Sequence, residues 1–197
     1  MASDSQAPGL RERKKIKTRE AIRREALRLF ETRGYAGTTV EQIAQAADVS
    51  PSTFFRYFSN KAALLIPDQL MEPIIEAFVK APPELSPVAA YRRAVEQTFN
   101  SMAGVDWAPE MARQRLLYTL PEAQGALYSE YIHTIELITQ ALALRLSRSP
   151  EDIELRTIAG AITGVLMTAL HGTPMEPAAI YHALDFLDAG LPLTDED

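Results

Sequence analysis

The richest run of recognition chemistry lies between Ser50 and Tyr57, where Ser-Pro-Ser-Thr-Phe-Phe-Arg-Tyr gathers hydroxyls, a guanidinium and a phenol within two helical turns. Hydroxyls such as those of Ser50, Ser52 and Thr53, placed at a helix N-terminus, suit phosphate oxygens or base edges. The Arg56 guanidinium can meet guanine O6 and N7 in a bidentate pair. These groups bind rather than catalyse. Elsewhere the chain offers no nucleophile elbow, phosphate loop, His-Glu-x-x-His or paired-carboxylate arrangement, so an enzyme is not expected. It has no cysteine, which excludes disulfides and thiolate metal sites, and His133, His171 and His182 are too far apart to suggest a metal by spacing. No cofactor is expected.

Presenting that face requires short, well-capped helices. Ser50 is a natural N-cap and Pro51 suits the first helical position, where its missing N–H costs nothing, so a helix is expected over about 51–58. Phe54 and Phe58, four residues apart, share its inner face and leave Ser50, Ser52, Thr53, Arg56 and Tyr57 outside. Such a helix is roughly 12 Å long, comparable to the width of the major groove. Another helix starts at the Thr38-Thr39 pair, where either Thr39 to Gln42 or Thr38 to Glu41 has capping-box spacing, with Val40, Ile43, Ala44 and Ala47 as its buried stripe. Asp48-Val49-Ser50 then joins two helices through a tight turn, the helix-turn-helix arrangement. A preceding helix over 10–33 packs through Ile22, Ala26, Leu29 and Phe30 and closes at Gly34.

The surrounding sequence looks like the TetR family of bacterial transcription regulators. The run Thr38-Thr39-Val40-Glu41-Gln42-Ile43-Ala44, then Ala47 through Tyr57, then Phe58-Ser59-Asn60-Lys61-Ala62-Ala63-Leu64, carries the family's anchors at their spacing across about 11–65. The resemblance implies a homodimer with two such heads on a pseudo-palindromic operator of double-stranded DNA. It also implies that Thr39, Ser50, Thr53, Tyr57 and Lys61 contact phosphates or adjoining bases. Two positions depart from the pattern: Phe55 stands where many members have Tyr, and Ser52 where glycine is frequent.

Charge is distributed in keeping with this. The chain carries a net −6, yet its first 61 residues hold twelve Lys and Arg against seven acids, +5, which leaves −11 on the rest. A positive pole is drawn to phosphate while an acidic one is repelled, which orients an encounter. Within the basic run 11–15, Lys14 and Lys15 reach neighbouring phosphates or a minor groove in one reading, and merely solubilise the N-terminal end in another.

No hairpin signal or sustained period-2 alternation interrupts the helical spacing, so the fold expected is all-α with about nine helices. Residues 1–9 read as a disordered lead-in, 10–65 as the helix-turn-helix head, and 66–197 as an antiparallel helical bundle for sensing and dimerisation. A short helix over 61–66 stops at Pro67, and a break between Pro67 and Pro73 is the expected relay of movement from body to head. The Pro-rich stretch 81–87 is linker-like, and helices follow over about 88–102, 109–119, 122–147, 150–171 and 177–188. The longest apolar run, 158–170, is about thirteen residues against the roughly twenty of a membrane span, and the N-terminus lacks an apolar signal core. A cytoplasmic protein without membrane partners is expected.

The resemblance implies that the body encloses a small-molecule pocket and dimerises through its last two long helices. Phe99, Met102, Trp107, Met111, Tyr118, Tyr128, Tyr131 and Met167 are the candidate lining for an unknown apolar or aromatic effector. Gln114, Arg115, His133 and Thr163 are candidate polar anchors. Gly160, Gly164, Thr168 and Gly172 recur every four residues and would let another helix approach closely, either the twofold mate or a helix of the same subunit. Ile180, Leu184 and Leu187 on the last helix are the other candidate dimer face. A regulator without an effector, acting as an activator or under a protein partner, is the alternative reading.

Overall fold

The computed structural model describes residues 10–66, 70–102, 104–105, 107–171 and 176–192, so the expected lead-in 1–9, Pro67 and Gly172 lie outside the described residues. Among these there are nine α-helices and no strand. The chain divides into two compact units that part between Leu64 and Leu65.

The first unit holds α1 (Leu10–Arg33), α2 (Val40–Ala46) and α3 (Pro51–Tyr57). The N-terminal part of α1 is charged and exposed, whereas Ile22, Ala26, Leu29 and Phe30 are buried in a row toward its end. Gly34 ends the helix in the left-handed conformation, φ +75°, with its N–H donating to the Phe30 carbonyl at 2.9 Å. A residue with a Cβ is strained there, which is the reason for glycine. Phe54 and Phe58 are both buried, their ring centroids 5.7 Å apart. The Arg19 and Arg23 guanidinium groups lie over the Phe58 ring at 5.1 and 5.5 Å, closing the core from the side of α1.

The second unit contains α4 (Met71–Lys80), α5 (Pro87–Ser101), α6 (Ala108–Thr119), α7 (Gln124–Leu146), α8 (Ile153–Leu170) and α9 (Pro177–Asp188). Helix α7 packs on α8 and α4, while α9 fills the space between α5 and α8. Phe78, Tyr91, Ile138, Leu142, Leu155, Ile162 and Leu184 form the centre of this core, and Phe78 meets Tyr91 edge-on at 5.5 Å. Between α4 and α5 the backbone carbonyls of Ala81, Pro82 and Leu85 all accept from the Arg145 guanidinium on α7. Prolines leave few N–H donors in such a segment, so a side chain from another helix satisfies its oxygens.

Two helix starts lie later than the sequence implies. Pro150 points to an early start for α8, but Asp152 is the cap, its carboxylate accepting from the Glu154 N–H at 3.0 Å. Before α7, residues Pro121–Ala123 form a 3-10 turn. The expectation that Ile180 and Leu184 lie on a dimer face is corrected: both are buried in this unit's own core, and Leu187 packs at its edge. The i, i+4 row is real, but α5 and α8 cover it. By length and composition α8 could cross a membrane, yet Leu155, Ala159, Ile162 and Thr163 are buried against its neighbours.

Candidate nucleic-acid interface and effector cavity

The turn that aims α3 is built from backbone hydrogen bonds. At the end of α2, Asp48 takes the left-handed conformation, φ 54°, and its N–H donates to the Gln45 carbonyl, while the Val49 N–H donates to the Ala44 carbonyl at 2.9 Å. This paired closure satisfies the last carbonyls of α2 and reverses the chain within two residues; Asp tolerates the left-handed φ better than a branched residue does. Ser50 then begins α3: its Oγ accepts from the Thr53 N–H at 3.1 Å, with Pro51 at the first helical position. At the start of α2 the capping box is the Thr39–Gln42 pair, with Thr39 Oγ1 accepting from the Gln42 N–H and Gln42 Oε1 accepting from the Thr39 N–H. Beside it, a bond from its own N–H, then one from Thr39, holds the Glu41 carboxyl below its ordinary range.

With Phe54 and Phe58 held inside, Ser50, Ser52 and Arg56 are exposed on the opposite side of α3, and Thr53 and Tyr57 are half-buried along its margin. The three hydroxyls form a cluster: Ser50 Oγ lies 2.9 Å from Ser52 Oγ and 3.0 Å from Thr53 Oγ1. Arg56 rests over the Tyr57 ring at 5.2 Å. Phe55 is 54% exposed, an aromatic ring on the outer surface of the helix. Lys14 and Lys15 are exposed on the first turns of α1, and Thr39 is exposed at the start of α2.

Lys61, which follows α3, is half-buried and reaches back toward the segment between α1 and α2. Its ammonium donates to the carbonyls of Tyr35 at 2.7 Å and Thr38 at 2.9 Å and sits 4.0 Å above the Tyr35 ring. It pins the segment between α1 and α2.

The second unit encloses an apolar cavity of about 120 Å³, with Leu70, Ile74, Val95, Leu117, Leu166 and Ile180 in its wall. That volume is close to the space that admits one aromatic ring in other proteins. Of the expected lining, Phe99 and Tyr118 are present. Met102, Trp107, Met111, Tyr131 and Met167 are partly buried off the wall, although Trp107 packs on Phe99 with ring centroids 5.4 Å apart. Tyr128 is 66% exposed and is not part of it. Burial pushes the Tyr118 hydroxyl above the usual phenol range, and its ring meets His171 edge-on. Of the expected anchors, Gln114 lines the cavity, whereas Arg115 and His133 are exposed and Thr163 donates to the Ala159 carbonyl of its own helix.

The wall also holds a charged pair, Arg113 and Glu110, that sequence reasoning passed over. Arg113 is buried and donates from Nε to Glu110 Oε2 at 3.1 Å, from a second nitrogen to Glu110 Oε1, and to the Leu65 carbonyl. Their i, i+3 spacing on α6 was the available signal.

A capped helix-turn-helix head, followed in one chain by a helical unit with an apolar cavity, defines a DNA-binding regulator. The chain belongs to the TetR family of bacterial regulatory proteins, which its residues 22–66 match, while residues 85–192 match the MftR C-terminal domain. The HTH-type transcriptional regulator TcmR of Streptomyces glaucescens is 37% identical over 162 residues, 78% of this chain and 69% of that protein. MftR of Mycobacterium tuberculosis, whose name associates it with mycofactocin biosynthesis, is 26% identical over 84% of this chain and 87% of its own. Among solved structures, the SmeT–triclosan complex aligns with a TM-score of 0.56 at 18% identity, covering 92% of this chain and all of that one. Thermus thermophilus FadR with lauroyl-CoA aligns at 0.53 and 24% identity, covering 90% and 97%. These likenesses establish an all-α regulator fold, and the curated relatives are transcriptional regulators rather than enzymes.

Proposed function

We propose that this protein is a homodimeric, cytoplasmic repressor that grips a pseudo-palindromic operator through α3 and releases it when a small apolar or aromatic effector fills the cavity. The observation that carries the reading is the division of α3 into a buried aromatic row, Phe54 and Phe58, and an exposed row of hydroxyls with Arg56. Arg56 reads a guanine, Ser50, Ser52, Thr53 and Tyr57 take phosphates or flanking edges, and Phe55 offers an apolar face to a thymine methyl. Thr39, exposed at the start of α2, turns its hydroxyl from the Glu41 carboxylate to a phosphate when DNA arrives. A dimer face is supported by α8, where a Cβ added at Gly160 or Gly164 meets nothing within 4 Å and Thr168 is exposed. A second copy on this side would cover Ile153, which is 70% exposed. Ligand acts through differential affinity for the DNA-bound and released states. The SmeT and FadR complexes, with triclosan and lauroyl-CoA, lend the effector reading a precedent in proteins of the same fold.

The test is a footprint of the DNA upstream of the protein's own coding sequence. Arg56→Ala should weaken that complex by about 1–3 kcal/mol and relax preference at one base pair per half-site. Equal weakening on operator and random DNA would make Arg56 a phosphate contact instead. Lys14→Ala with Lys15→Ala should flatten the slope of log affinity against log salt by about 1–2, and an unchanged slope removes these lysines from the interface.

A further inference from the structure

Gln114 tells what kind of molecule the cavity takes. It projects from α6, is 8% exposed, and lies in the cavity wall. Its Nε2 donates to the Leu170 carbonyl at the end of α8, 2.8 Å away. A carbonyl only accepts, so this contact dictates which end of the amide is nitrogen and which is oxygen. Oε1 is therefore the end left over, and it is buried with no hydrogen-bond partner among the described residues. A buried acceptor without a donor is a demand that an incoming molecule can meet.

The rest of the wall restricts the charge of that molecule. The only ionised side chains in the described lining are Arg113 and Glu110, and they neutralise each other through two hydrogen bonds, with Arg113 also holding the Leu65 carbonyl. An anion would meet the lone pairs of Gln114 Oε1 and the Glu110 carboxylate; a cation would face Arg113. Both would lose their hydration to an otherwise apolar surface.

Resting on the reading of this cavity as the effector site, we propose that the effector is a neutral, mainly apolar molecule whose ring enters the cavity carrying a hydroxyl or N–H, and that this group donates to Gln114 Oε1. Gln114 is then the specificity-determining residue of the pocket. An isosteric molecule without the donor fills the same space and leaves Oε1 unmet. Discrimination of this kind is large where a buried polar atom is the reader.

The experiment uses the full-length protein and three single-ring probes of similar shape: phenol, toluene and benzoate. Binding is followed by calorimetry and by the fluorescence of Trp107, which packs on the wall residue Phe99. Wild type should bind phenol at least about tenfold more tightly than toluene, about 1.4 kcal/mol, with the anion weakest. Gln114→Met, which keeps the length and removes the amide, should bring the two neutral probes within about twofold while still binding toluene. Equal affinity of wild type for the two neutral probes overturns the role of Gln114 and leaves the cavity as an effector site. A preference that survives in Gln114→Met assigns the donor's partner to another group and overturns it as well. Failure of all three probes to bind wild type removes the effector reading itself. Because the wild-type ratio is decisive alone, poor folding of the variant does not rescue the idea.

Discussion

Phe54→Ala should abolish operator binding by dissolving the head, while the second unit keeps its own thermal transition and its response to probes. Phe54 is wholly buried between the helices of a unit of roughly 55 described residues. Truncating a core phenylalanine costs about 3–5 kcal/mol. A unit of that size is stable by only about 3–8 kcal/mol, so the loss removes a large part or all of it. The neighbouring Phe55→Ala, on an exposed ring, should move stability by no more than about 0.5 kcal/mol. The pair separates packing from contact: Phe55→Ala reports on DNA, Phe54→Ala on the fold that aims the DNA-reading face. Calorimetric scans and operator titrations of both variants check it, and operator affinity within twofold of wild type for Phe54→Ala would show that the head does not depend on this core.

The second large effect is expected at Lys61, on stability rather than on affinity. Lys61→Met retains the aliphatic stem and removes the ammonium that holds the carbonyls of Tyr35 and Thr38. Hydrogen bonds from a charged donor contribute about 1.5–3 kcal/mol each, and partial exposure of Lys61 reduces their sum to about 2–3 kcal/mol. Denaturant unfolding of the head should therefore shift by that amount. The salt dependence of operator binding should keep its slope to within about 0.5. A slope reduced by about 1 with unaltered stability would return Lys61 to the phosphate contacts that the family resemblance implies.

The difference between these lysine and phenylalanine positions and the cavity explains what was legible in the sequence. The head is specified by neighbours: Thr39 and Gln42, Ser50 and Pro51, Phe54 and Phe58 all act within four residues, and local spacing reveals them. Lys61 acts across more than twenty residues, on carbonyls that carry no sequence mark at all. The cavity is the extreme case, because its wall is assembled from α4, α5, α6, α8 and α9 together. Ordinary residues such as Leu70, Val95 and Leu166 become its wall only once the helices converge. Aromatic density drew attention to Tyr128, which points to water, and to Trp107, which backs the wall without lining it. The stripe of Ile180 and Leu184 was readable as a buried face, but whether a second subunit or the same one buries it is a tertiary fact.

The contact of Arg145 with the stretch between α4 and α5 sets what evolution can alter there. The guanidinium grips main-chain oxygens of Ala81, Pro82 and Leu85, so it is indifferent to which side chains the loop displays. Residue identity in that loop is free to drift, whereas adding or deleting one residue would carry an oxygen out of the fork's reach. Homologous regulators can thus be expected to differ there in composition and agree in length wherever an arginine occupies the equivalent place on α7.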